Sequence, residues 1–139
     1  MERKLKCILL VEDDHATNFL HKMILQKAGV AENILVALNG KEALTIIRDA
    51  GNQTDGNSLK PDLIFLDINM PIMNGWEFIE EYKKLADELK NNTTIIMLSA
   101  SMNPDDRTRA GDFAEIKGFR SKPLSKAMVV EIINANFGS

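Results

Sequence analysis

Apolar residues in this chain follow two alternating patterns. Short, nearly continuous apolar runs occur at Cys7–Val11, Ile34–Leu38, Leu63–Leu66 and Ile95–Leu98, with a weaker one around Gly118–Arg120. Their length and content predict buried strands. Between them lie longer segments with helical spacing. Phe19 and Met23, with Leu20 and Ile24, are four apart and predict one apolar face on a helix from about Ala16 to Ala28, ended by Gly29. After Asn39-Gly40, the residues Ala43, Leu44, Ile47 and Ala50 repeat the pattern. Trp76, Ile79, Tyr82 and Lys83, then Leu85, Ala86 and Leu89, predict a third helix, and Pro104-Asp105-Asp106 opens a fourth. Ser125 predicts the cap of a fifth, in which Met128, Val129, Ile132 and Ile133 face inward. Five strand-helix units in succession predict an α/β fold, a parallel sheet wrapped on both faces. The polar stretch Asp49–Asp62 reads as an unusually long surface loop.

Composition narrows the function. At 139 residues, with 45% hydrophobic and 27% charged residues, the chain suits a single globular domain. A net charge of -3 argues against a broad grip on nucleic acid. The one cysteine, Cys7, sits in the first apolar run and is expected to be a buried thiol, with no disulfide framework or cysteine zinc site. The apolar start is too short for a secretory signal and no run approaches a membrane span, so a soluble, cytoplasmic protein is expected.

The chemistry-bearing residues stand where strands end. Glu12-Asp13-Asp14 follows the first strand, Asp67 the third, Ser99-Ala100-Ser101 the fourth and Lys122-Pro123 the fifth. Ligands of open doubly wound sheets bind outside the carboxyl ends of the strands. If the strand order is 2-1-3-4-5, the first and third strands are neighbours at ~4.8 Å and their terminal acids lie side by side. Carboxylates that close call for a cation, and a few acids completed by water suit Mg²⁺. Asp67 can then act as a carboxylate nucleophile, with Lys122 and the Ser99 hydroxyl holding phosphoryl oxygens. Asp14 is expected to cap the first helix, His15 and His21 to lie on the surface or helix, and Pro71 and Gly75 to turn the chain beside the site.

The motifs ILLVEDD, LDINMPIMNG, MLSAS and GFRSKPL, in this order, resemble those of response-regulator receiver domains, the CheY-like family of two-component signalling. The resemblance implies a flavodoxin-like (βα)5 fold with sheet order 2-1-3-4-5. It also implies acceptance of a phosphoryl group on Asp67 from a histidine kinase or histidine phosphotransfer protein. Mg²⁺ would be bound by Asp13, Asp67 and the main-chain carbonyl of Asn69, with Glu12 contributing through water. Ser99 and Phe119 would be the switch residues, in place of the family's frequent threonine and tyrosine, and the Lys122-Pro123 peptide would be cis. With the chain ending soon after the fifth helix, no output domain is expected. Signalling would then run through a downstream protein target, without nucleic acid or membrane, from a monomer or weak homodimer. A haloacid-dehalogenase-type phosphohydrolase is the alternative, but it usually carries a second Asp where this chain has Asn69, and its metal acids come late. A flavodoxin-like nucleotide binder fits less well, since EDDHAT would repel a cofactor phosphate. A receiver-shaped module that is never phosphorylated is disfavoured by the complete set Glu12, Asp13, Asp67, Ser99 and Lys122.

Overall fold

The computed structural model describes residues 4–51 and 59–138. Five strands form one parallel sheet: β1 (Leu5–Val11), β2 (Ala31–Ala37), β3 (Leu63–Asp67), β4 (Thr94–Ser99) and β5 (Ile116–Ser121). Their order is 2-1-3-4-5, as expected. The described helices are α1 (His15–Ala28), α2 (Gly40–Gly51), α3 (Gly75–Lys83), α4 (Asp87–Lys90), α5 (Pro104–Gly111) and α6 (Lys126–Phe137). No helix among the described residues is long and apolar enough to cross a membrane.

Strand alternation splits the core in two. Leu9, Val11, Ile64, Leu66, Ile95 and Met97 face the layer of α2 and α3, where Ala43, Leu44, Ile47, Phe78 and Ile79 pack. Ile8, Leu10, Leu63, Phe65, Ile96 and Leu98 face α1 and α6, meeting Leu25, Val129, Ile132 and Ile133. Burial on both faces explains why these strands read as continuous apolar runs. Cys7 is fully buried, and burial pushes its thiol up to about 12.

Four expectations need correction. The apolar face predicted for α1 is only partly on the core: Ile24 packs there, but Phe19 is 71% exposed and Leu20 37%, whereas Asn18, His21 and Leu25 are buried. On the buried side Asn18 donates to the Glu12 carbonyl and His21 accepts the Leu124 N–H. His21 lies on α1, one of the two places expected for it, but is buried in the core, and His15 is at the surface. The single third helix breaks in two, because the chain turns extended at Ala86 (φ -59, ψ 147) before α4. Leu85 and Leu89 then both pack on the core. The long polar loop begins later than expected, since Asp49, Ala50 and Gly51 complete α2; residues 52–58 of that loop lie outside the described residues.

Candidate functional site

Register brings the acids together. β1 and β3 are adjacent with Val11 opposite Leu66, so Glu12 and Asp67 emerge side by side at the carboxyl end of the sheet. Glu12, Asp13 and Asp67 each offer an oxygen within 4.8 Å of the others. Glu12 and Asp67 are buried and Asp13 is exposed. On the far side, Ser99 pairs with Ser121, and the Lys122 N–H extends that ladder to the Ser99 carbonyl at 2.9 Å. The Lys122-Pro123 peptide is cis. Lys122 Nζ reaches back to Glu12 Oε1 at 2.6 Å and Asp67 Oδ1 at 3.1 Å.

This is a largely desolvated charge cluster, and its electrostatics follow. Burial pushes the Glu12 carboxyl up, against the pull of Lys122 and the Asp14 N–H, and the neighbouring Asp67 adds to the rise. Burial pulls Lys122 down, but its hydrogen bonds to Glu12 and Asp67 outweigh that and hold the ammonium above its usual pKa. Lys122 thus stays charged. Removing a partner from such a cluster leaves a buried charge uncompensated, at a cost of about 3–5 kcal/mol.

The loops are built to hold this geometry. Asp14 caps α1 through the Thr17 N–H, as expected, and its own N–H donates to Glu12 Oε2 at 3.1 Å. After Asp67 the chain folds back so tightly that a Cβ on Gly75 would lie 2.5 Å from the Asp67 carbonyl oxygen. Only glycine fits that approach. Asn74 then caps α3 in a reciprocal box with Glu77. Ser99 Oγ accepts the N–H groups of Ser101 and Met102 at 3.2 and 2.9 Å, so its hydroxyl closes the turn before α5. Asn103, not Ser99, is the N-cap of that helix.

A cleft of about 310 Å³ opens over these groups, lined by Glu12, Asp13, Asp67, Asn69, Ser99 and Lys122 among others. The predicted switch residue Phe119 lies apart from this cleft, buried in the sheet with Arg107 over its ring at 5.3 Å. A larger cleft of about 760 Å³ sits at the opposite end of the sheet, beside Lys4, Lys6 and Lys117. Its one acid, Asp62, is engaged by the N–H groups of Lys6 and Cys7. Three residues at this end of the sheet escape sequence reasoning. Asp106 lines the cleft from the first turn of α5, and Asn18 and His21 support it from below. The available signal for the last two is a pair of polar residues three apart that brackets Phe19-Leu20 in the helix after the acid run.

The fold and motifs have known counterparts. The sequence pattern of the family described as the response regulator receiver domain matches residues 8–134. The chemotaxis protein CheY of Thermotoga maritima is 34% identical over 129 residues, 93% of this chain and 95% of that one. A two-component response regulator from Cytophaga hutchinsonii superposes with a TM-score of 0.87 at 29% identity, covering 99% of this chain and all of that one. The receiver domain of the sensor histidine kinase PA1611 from Pseudomonas aeruginosa, solved with a magnesium ion in its active-site cleft, superposes with a TM-score of 0.73. At 23% identity over 97% of this chain and 99% of that one, it supports the shared fold alone. On the family match and the CheY likeness, the chain belongs to the response regulator receiver domains of two-component signalling.

Proposed function

We propose that Asp67 accepts a phosphoryl group from a histidine kinase or histidine phosphotransfer protein, and that the loaded site alters a protein-binding surface. The observation that carries this reading is the position of Lys122 Nζ, in contact with both Glu12 and Asp67 at the floor of a cleft with Asp13 at its rim. In the step proposed, a carboxylate oxygen of Asp67 attacks phosphorus while the bond to the donor's imidazole nitrogen breaks. The electron pair leaves with that nitrogen, which is protonated from solvent, and an acyl phosphate remains on Asp67. Lys122 and the Ser99 hydroxyl donate to the phosphoryl oxygens, where negative charge is concentrated in the transition state.

The donor set fits a hard divalent cation. Carboxylate oxygens from Glu12, Asp13 and Asp67 lie within 4.8 Å of one another, and such oxygens are what Mg²⁺ takes, in small number and with water. Asp13, Asp67 and the Asn69 main-chain carbonyl would hold it, with Glu12 contributing through water. Bound there, Mg²⁺ supplies neutralisation of the phosphoryl charge next to three acids. On this reading the protein is a signalling switch that catalyses only its own phosphotransfer and dephosphorylation.

The test is incubation with acetyl phosphate and Mg²⁺, followed by intact mass and site mapping. A gain of one phosphoryl group is expected on the parent chain, and none on Asp67→Asn or after chelation of the metal. Full labelling of Asp67→Asn, or labelling at full extent without a divalent ion, defeats the assignment.

A further inference from the structure

The helix that follows the acid loop is set against its own hydrophobicity. α1 leaves Phe19 71% exposed while burying Asn18 to 6% and His21 to 1%. A rotation of about 100°, one residue's step around a helix, would put the phenyl ring inside in place of the amide. Leu25 is fully buried, with Ile24 and Ala28 packed beside it, but at positions 18 and 21 something other than apolar burial fixes the helix.

Both buried polar side chains end on main-chain groups of the loops that carry the charged cluster. Asn18 Nδ2 donates to the Glu12 carbonyl at 2.8 Å. His21 Nε2 accepts the Leu124 N–H at 3.2 Å, which puts the ring proton on Nδ1. Glu12 is one member of the 2.6 Å pair with Lys122, and Leu124 lies two residues past the other. Asn18 Oδ1, moreover, is buried and meets no hydrogen-bond donor among the described residues. A buried amide left half satisfied is an unfavourable choice for filling space, so its other end must matter.

We infer that Asn18 and His21 are positioning residues: one turn apart on α1, they hold the Glu12 loop and the Lys122 loop in register, so that one ammonium meets both carboxylates. An apolar side chain at either position would fill space as well or better, and would leave the two loops free to shift against each other. The consequence for rate rests on the phosphoacceptor reading above; the geometry does not.

Three measurements test it. His21→Leu deletes the acceptor at similar volume, and His21→Gln restores an acceptor. At saturating acetyl phosphate and Mg²⁺, His21→Leu is expected to label about tenfold more slowly, with half-saturation by the donor within about twofold of the parent and Gln recovering most of the rate. Full-rate labelling of His21→Leu overturns the inference, whatever its urea midpoint. The second measurement needs no labelling and no folded variant. Nitrogen NMR of the parent chain is expected to show an unprotonated His21 Nε2 with a scalar coupling to the Leu124 amide; a proton on Nε2 overturns the inference. Where the variants fold, the Lys122 Nζ resonance should also shift in His21→Leu and Asn18→Ala, and a resonance unmoved in both counts equally against it. If the parent chain takes no label at all, the phosphoacceptor reading fails, and the NMR result alone decides whether the two side chains hold the loops.

Discussion

His21 gives up its proton on folding, because burial, and then the charge of Lys122, pull its imidazole down from 6.5 to about 4. The folded state thus holds the ring neutral over a range where the unfolded chain protonates it. Stability from this group is fully present above pH 6.5 and is lost as pH falls from there through 4. The loss amounts to about 3 kcal/mol when complete. The raised Glu12 carboxyl works in the opposite direction, so the informative quantity is the difference between the parent chain and His21→Leu. Urea unfolding should show that difference moving in the variant's favour by about 3 kcal/mol between pH 6.5 and 4; a constant difference means the ring is not held neutral. Ile72 carries a separate local strain. Its φ is 68, a left-handed conformation rare for a β-branched residue, and it is 77% exposed, so little packing offsets the strain. Ile72→Gly should raise stability by about 1 kcal/mol, the removed strain exceeding the added freedom of the unfolded chain. A lowered urea midpoint would mean that Ile72 makes contacts that outweigh its backbone cost.

Among the elements, α5 is held differently from its neighbours. Its sequence PDDRTRAG buries Ala110 alone, and its arginines lie over rings of the layer beneath: Arg109 over Trp76 at 4.4 Å and Arg107 over Phe119 at 5.3 Å. Contacts of this kind contribute about 0.5–1 kcal/mol each at exposed sites. α3, by contrast, buries Trp76, Phe78, Ile79 and Tyr82. Hydrogen exchange should therefore be faster in α5 than in α3, and Arg109→Ala should speed it several-fold in α5 alone; equal change in both helices would make α5 part of the global unfolding unit. The same contrast marks what the sequence can reveal. Strands buried on both faces announce themselves, as in Leu63–Asp67, where all five residues are buried. A parallel sheet then places every strand end on one side, so the meeting of Glu12, Asp13, Asp67, Ser99 and Lys122 is legible before any coordinates. The rotation of α1 is not, because Asn18 and His21 are fixed by partners six and 103 residues away, outside any helical period. The break before α4 is equally hidden, since Leu85 and Leu89 keep the spacing of one helix while the chain bends to bury both.

Over the whole molecule, the proposed phosphoryl group on Asp67 raises the question of how its charge would reach a surface. Ser99 Oγ now serves the turn before α5, accepting from Ser101 and Met102. β4 and β5 pair Met97 with Phe119 and Ser99 with Ser121, so Ser99 lies along the same ladder as Phe119 and Lys122. A phosphoryl group on Asp67 would bring new acceptor oxygens and negative charge to the cleft that Ser99 lines. Drawing the hydroxyl toward it would lengthen its bonds to the turn, and on the proposed reading the start of α5, with Arg107 over Phe119, would follow. The shift can be no larger than the difference in interaction between the two states: ~1.4 kcal/mol, about one net hydrogen bond, moves a population tenfold. Ser99→Ala removes that bond and leaves Asp67, Asp13 and Lys122 in place. It should keep the mass gain with acetyl phosphate while reducing, by about tenfold in population, the phosphorylation-dependent NMR shifts of Arg107 and Phe119. A Ser99→Ala chain whose shifts match those of the parent would confine the hydroxyl to the turn and send the coupling through Lys122 and the β5 end of the sheet.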